Sequence, residues 1–295
     1  MKNDLSRRDF IHKSLIAGIG ISGLRSFPTS DMPETPAIKL GLVTYQWGRD
    51  WDLATLIANC EQTNLLGVEL RTQHAHGVET SLSASQRAEV KKRFADSPVT
   101  CLGYGSNFEY HSPDQQTLRQ NIEQTKEYIK LCRDIGATGI KVKPNTLPSE
   151  VPREKTISQI ASSLNEVGRF AQDYGQLVRV EVHGEITSEI PVMKDIFDQV
   201  SEKNVKICWN SNDIDLAPPG FAKNFEMLKY WIGDTVHMRG FNVDDYPYED
   251  LLSSLAAINF NGWVLLEAHH QVPDRIAAMK EQLSIFNQVI TSINQ

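Results

Sequence analysis

From Ile38 onward the chain repeats one pattern: a short apolar run, then a longer stretch with apolar positions three and four residues apart. The runs are Ile38–Val43, Gly67–Leu70, Val99–Gly103, Gly139–Lys143, Val178–Val182, Val205–Trp209, Thr235–Met238 and Trp263–Glu267. They are brief, β-branched and bounded by Gly, Asn or Pro, as strands buried on both faces of a parallel sheet are. Between them Leu53, Leu56, Ile57 and Cys60 share one helix face. Leu118, Ile122, Thr125, Ile129 and Cys132 share a second, and Ile157, Ile160, Ala161, Leu164, Val167 and Phe170 a third. Asp52, Ser83 and Ser112-Pro113 stand where caps start helices. Strand starts near residues 38, 66, 99, 138, 177, 204, 234 and 262 leave about 27 to 39 residues per unit, the size of one βα repeat. Eight such units predict an α/β protein, a closed (β/α)8 barrel forming a single domain over residues 37–295. An open doubly wound sheet competes, but no G-x-G-x-x-G follows the first strand and no break in composition divides the chain.

Composition narrows the partners more than the fold. With 40% hydrophobic and 23% charged residues, the chain holds enough apolar material for a full core, which excludes disorder and collagen-like repeats. The net charge of −7 and the scattered Lys and Arg give no basic footprint, so nucleic acid is not an expected partner. Cys60, Cys101, Cys132 and Cys208 lie too far apart for a metal knuckle or a disulfide framework, and all fall at apolar positions, as buried thiols do.

Residues 1–36 read as an export signal and linker rather than as part of the domain. Ser6-Arg7-Arg8-Asp9-Phe10-Ile11, with Lys13 close behind, resembles the twin-arginine signal that carries already folded proteins out of the bacterial cytoplasm. The apolar run Leu15–Leu24 is too short to span a bilayer as a helix, so no stable membrane span is expected in the mature chain. The expectation is a periplasmic protein, and assembly into a homo-oligomer is compatible with the sequence.

In a barrel of this kind chemistry sits at the carboxyl ends of the strands. Strand 5 ends Glu181-Val182-His183, strand 6 ends Trp209-Asn210-Ser211-Asn212-Asp213, strand 7 carries His237 and Arg239, and strand 8 ends Glu267-Ala268-His269-His270. Charged groups above an apolar core are costly to desolvate unless they meet a cation or each other. Two carboxylates, an imidazole and a side-chain carbonyl suit a divalent ion such as Mn²⁺, Zn²⁺, Co²⁺ or Mg²⁺, with positions left open for substrate oxygens.

The order Glu-x-His on strand 5, an acid or amide ending strand 6, His on strand 7 and Glu on strand 8 resembles the xylose isomerase-like TIM barrels. That superfamily comprises sugar isomerases and epimerases together with endonuclease IV-type enzymes. The resemblance covers residues 38 to about 290. It implies metal ligands at Glu181, Asn210, His237 and Glu267, with Glu181 and Glu267 also forming an acid/base pair on opposite faces of the substrate carbon. Asn210 stands where the family pattern has Asp, and Asp213, where many members have His, is the alternative ligand. Strand 7 reads His237-Met238-Arg239-Gly240 in place of the usual Lys-Asp after the ligand.

Around this set lie candidates for substrate contact. Arg239 has a fork matched to carboxylate or phosphate, against the reading of an ion-paired rim residue. His183 follows Glu181 on the same strand end. Arg71, His74 and His76 follow strand 2, with Arg71 or His74 preferred, and Glu69 lies where family members often carry a substrate-facing acid. Lys141 and Lys143 share the inner side of strand 4, Lys143 being nearer the mouth and either a substrate contact or a salt-bridge partner of Glu181. Tyr45, Trp47 and Trp51 could stack on a sugar ring or simply fill the loop after strand 1. Glu109, His111, His269 and His270 are weaker candidates. The expected activity is a metal-dependent sugar isomerase or epimerase acting by proton transfer beside a carbonyl on a small carbohydrate. A metal-dependent lyase or hydrolase of oxidised sugars, or a non-catalytic periplasmic sugar-binding barrel, are the alternatives.

Overall fold

The computed structural model describes residues 38–293 and 295. The export signal and linker read over residues 1–36 lie outside the described residues; among the described residues no helix is long and apolar enough to cross a membrane.

Eight strands alternate with eight helices: β1 Lys39–Val43, α1 Leu53–Thr63, β2 Gly67–Arg71, α2 Ala84–Ala95, β3 Thr100–Gly105, α3 Gln115–Ile135, β4 Gly139–Val142, α4 Arg153–Asp173, β5 Leu177–Glu181, α5 Ile190–Phe197, β6 Val205–Asn210, α6 Phe221–Leu228, β7 Ile232–Met238, α7 Tyr248–Ala257, β8 Trp263–Leu266 and α8 Arg275–Ile293. Every strand pairs in parallel with its neighbours in sequence, and β1 closes on β8, so the sheet is a complete (β/α)8 TIM barrel. Each apolar run of the sequence is a strand. Asp52 caps α1 by accepting from the Thr55 amide at 2.7 Å, and Ser83 forms a reciprocal capping box with Gln86 on α2. The third cap differs from expectation. Asp114 takes it, accepting from the Gln116 and Thr117 amides, while the Ser112 hydroxyl accepts from the Asp114 amide one step outside the helix.

Alternation along the strands divides the apolar material unequally. The outward positions, among them Leu40, Leu42, Val68, Leu70, Ile140, Val178, Val180, Ile207 and Val264, join the helix faces in one large buried cluster. Burial of each such side chain contributes about 1.5–3 kcal/mol. The inward positions make only a small cluster, Val43, Leu102 and Leu265 with Tyr45 and Trp263 against it. The remaining lumen is charged. Near its floor Arg179, fully buried, forms two 2.8 Å bonds to Asp234 and donates to the Leu102 carbonyl and Thr138. Glycines make this room: a Cβ at Gly139 would come within 2.8 Å of the Arg179 guanidinium, and Gly103, at φ +136°, passes so close to β4 that a Cβ would sit 1.7 Å from the Gly139 carbonyl oxygen. With the floor filled by an ion pair, the open end of the lumen is the end where β5 to β8 deliver their last residues.

Candidate metal and active site

Register brings the strand-end residues together. Asn210 on β6 pairs with His237 on β7, His237 pairs with Leu265 on β8, and Glu267 follows β8 directly. Glu181 closes β5. His237 is fully buried, its Nδ1 3.5 Å from Glu181 Oε1 and 3.5 Å from Glu267 Oε2. One ligand atom from each of Glu181, His237 and Glu267 lies within 4.8 Å of the other two. Neither ring nitrogen of His237 makes an aligned hydrogen bond to any described residue. An orphaned imidazole nitrogen facing two carboxylates at equal distance is the arrangement a divalent cation completes, so these residues fit such an ion.

The electrostatics agree. Burial alone would raise Glu181, but the ammonium of Lys141, in direct contact with Oε2, and the His237 imidazole hold it well below the ordinary carboxylate range. Burial likewise opposes charge on Glu267, and His237 more than offsets it. Burial disfavours charge on His237 too, but Cys208, Glu69 and Glu267 raise its basicity well above that of ordinary imidazole. The pocket thus keeps its carboxylates ionised and attracts positive charge. Asn210 turns its amide nitrogen toward Glu181 Oε1 at 3.4 Å. A half-turn of that amide would present Oδ1 to the same gap.

Above this set is a cavity of about 210 Å³. Of the residues singled out in the sequence, Arg71, Lys143, His183, Arg239, Tyr45 and His269 line it along with Glu181, Asn210 and Glu267. Arg71 lies 3.6 Å from Glu267, donates to Asn107 and sits over the Tyr45 ring. Lys143 has no ion-pair partner among the described residues, and burial together with neighbouring Lys141 lowers its pKa. The salt bridge to Glu181 belongs to Lys141 instead. Burial also lowers His183, which favours the neutral ring. Arg239 lines the cavity, hydrogen-bonded to Asp213 at 2.8 Å and ion-paired with Asp244 at 2.9 Å, as the reading of an ion-paired rim residue expects.

Other candidates stand apart. Asp213 points outward, its side chain 86% exposed, and is not grouped with the Glu/His/Glu set. Trp47 is buried and does not line the cavity; its indole N–H donates to the His270 carbonyl. Trp51 is buried beneath the Arg275 guanidinium. Half-buried His74 meets Thr44 Oγ1 at 3.2 Å, outside the cavity wall, and burial lowers it to about 4. His76 bonds the Arg71 carbonyl, and His111 the Pro144 carbonyl near Glu109. Glu69 faces His237 Nε2 at 3.2 Å rather than the cavity. Ser211 and Asn212 line the cavity without having been singled out. Asn212 is fixed there by bonds to the Val182 and Asn210 carbonyls; its place two residues beyond Asn210 on an inward-ending strand was the available signal.

A closed (β/α)8 barrel thus gathers two carboxylates and an imidazole at its carboxyl mouth. The chain is a member of the family described as Xylose isomerase-like TIM barrel, whose profile matches residues 57–289. It is 21% identical over 236 residues to inosose isomerase of Bacillus velezensis, covering 79% of each chain. Its fold matches the structure of an L-ribulose 3-epimerase with TM-score 0.74 at 14% identity, over 87% of this chain and 96% of the other. It also matches the IolI protein with a bound zinc atom, TM-score 0.70 at 15% identity, over 86% and 97%.

Proposed function

We propose that the protein is a sugar isomerase or epimerase that moves a proton beside a carbonyl, with Glu181 and Glu267 as the acid/base pair and Glu181, Asn210, His237 and Glu267 as holders of a divalent ion. The observation that carries this is the meeting of two ionised, buried carboxylates with His237 Nδ1 at 3.5 Å each. The relatives named for inosose isomerase and L-ribulose 3-epimerase activity support the same class. When bound, the ion supplies a fixed charge that holds neighbouring substrate oxygens and favours negative charge on the carbonyl oxygen.

The chain's own residues do the rest. One glutamate takes the proton from the carbon beside the carbonyl and the other returns a proton. Lys141 keeps Glu181 ionised at neutral pH, the state a base needs. Lys143, Arg71 and His183 stand around the cavity to orient substrate hydroxyls, and Tyr45 offers an aromatic face to a sugar ring. The test is turnover of ketoses, keto-inositols and keto-glycosides with Mn²⁺, Co²⁺, Zn²⁺ or Mg²⁺, comparing wild type with Glu267→Gln. A product of unchanged mass is expected, with activity lost in the variant; unchanged turnover by Glu267→Gln would refute the acid/base assignment.

Export by the twin-arginine route, with a periplasmic site of action, is proposed from Arg7-Arg8 and the apolar run after them. Fusing residues 1–36 to a reporter should export it in a folded state, and R7K/R8K together should block that export.

A further inference from the structure

Glu69 is a buried charge that the proposed reaction does not use. It is 1% exposed, does not line the cavity, and neither carboxylate oxygen has an aligned hydrogen bond among the described residues. Its ion-pair contact there is His237 Nε2, 3.2 Å from Oε1. The neighbouring strand makes space for it, since a Cβ at Gly105 would come within 2.4 Å of that same oxygen. A carboxylate withdrawn from water without compensation is costly, so a fold that keeps both this acid and the glycine beside it needs a counterpart for the charge.

The other face of the imidazole supplies the reason. A neutral imidazole carries one proton on one of two nitrogens, and the acceptor beside it decides which. We infer that Glu69 is a positioning residue for His237: it holds the proton on Nε2, so that the proton a divalent ion displaces is the one on Nδ1, in the gap between Glu181 and Glu267. With the proton on Nε2, the Nδ1 lone pair and two carboxylate oxygens converge, each oxygen 3.5 Å from Nδ1. A cation satisfies all three at once. A carboxylate behind a ligating imidazole also fixes the ring plane and strengthens the nitrogen as a donor. On this account the acid on β2 acts through His237 and touches no substrate. The inference rests on the divalent-ion reading above.

Calorimetric titration of the full chain with Mn²⁺ tests it, using wild type, Glu69→Gln and Glu69→Leu. Affinity should fall about 10- to 100-fold in Glu69→Leu and less in Glu69→Gln, whose amide oxygen leaves an acceptor beside Nε2. The visible absorption of the Co²⁺-loaded chain should shift in Glu69→Leu, which a purely structural loss elsewhere in the barrel would not produce. In Zn²⁺-loaded wild type, nitrogen-15 NMR should show one imidazole protonated on Nε2 and bound through Nδ1, a measurement that needs no variant to fold. Binding through Nε2, or a Glu69→Leu chain with wild-type affinity and spectrum, overturns the positioning role and leaves the metal site standing. No metal uptake by wild type at millimolar concentration overturns both.

Discussion

Replacing Lys141 with Met removes the ammonium that touches Glu181 in a place with no exposed surface, side-chain exposures being 0% and 2%. At hydrogen-bond contact and an effective dielectric of about 20, the lost attraction is ~5 kcal/mol. Removing one partner of a buried pair typically costs about 3–5 kcal/mol, because the remaining charge stays desolvated. The sign of the pH dependence follows from Glu181. In wild type its folded pKa lies well below the ordinary value, so its contribution is present above the unfolded pKa and is lost as pH falls through the folded one. In Lys141→Met the ammonium is gone, and burial, the largest single influence on Glu181, is expected to outweigh the His237 imidazole that remains, which raises the folded pKa above the unfolded one. Folded Glu181 then takes up a proton that the unfolded chain does not hold. The variant should therefore lose stability as pH rises, and its deficit relative to wild type should widen between pH 5 and 7.5 by up to ~1.4 kcal/mol per pH unit. Urea unfolding in the presence of a chelator, followed by circular dichroism at both pH values, reads this directly. A deficit below 1 kcal/mol, or one of equal size at both pH values, would show that Lys141 contributes packing alone.

Three further outcomes follow from other parts of the structure. Asn210→Asp places a carboxylate near Glu181 Oε1, so it should lower the stability of the metal-free chain yet tighten Mn²⁺ binding, while Asn210→Ala weakens binding; calorimetry giving shifts of the same sign would remove Asn210 from the ligand set. Asp215 is buried under Tyr246, which donates to it at 2.8 Å, and burial raises its pKa from 3.8 to about 7. Wild-type stability should then carry a term, ~4 kcal/mol in total, present below pH 3.8 and lost as pH rises toward 7, and Asp215→Asn should lack it in paired unfolding curves. Gly103→Ala forces a Cβ toward the Gly139 carbonyl at a φ of +136°, and the expected result is loss of soluble folded protein on expression.

The site was legible where the fold converts sequence position into depth. Parallel strands in a closed barrel all end at the same mouth, so Glu181, His237 and Glu267 could be grouped from their places at the ends of apolar runs. Alternation put Lys141 and Lys143 on one side of β4. It could not say which reached Glu181, because that depends on the stagger between β4 and β5, where Lys141 pairs with Arg179. Loops carry no such ruler. Tyr45 and Trp47 are two residues apart after β1, yet one lines the cavity and the other lies under the His270 backbone. Glu69 was legible as inward-facing, but its partner lies across the lumen on β7, a contact no local pattern records. The irregular step between Val68 and Glu69 in the β2–β3 register was likewise hidden behind an ordinary Gly103.

The ion pair on the barrel floor bears on how this scaffold could be re-engineered. Arg179 is held by Asp234, the Leu102 carbonyl and Thr138 together, so an apolar pair of matching volume there would leave the carbonyl and the hydroxyl without their donor and is expected to cost stability. The large apolar cluster outside the sheet would be untouched by that exchange. Hardening therefore belongs in the annulus between sheet and helices, where changes have few consequences for the mouth, whereas each charge removed from the lumen changes the field in which Glu181 and His237 work.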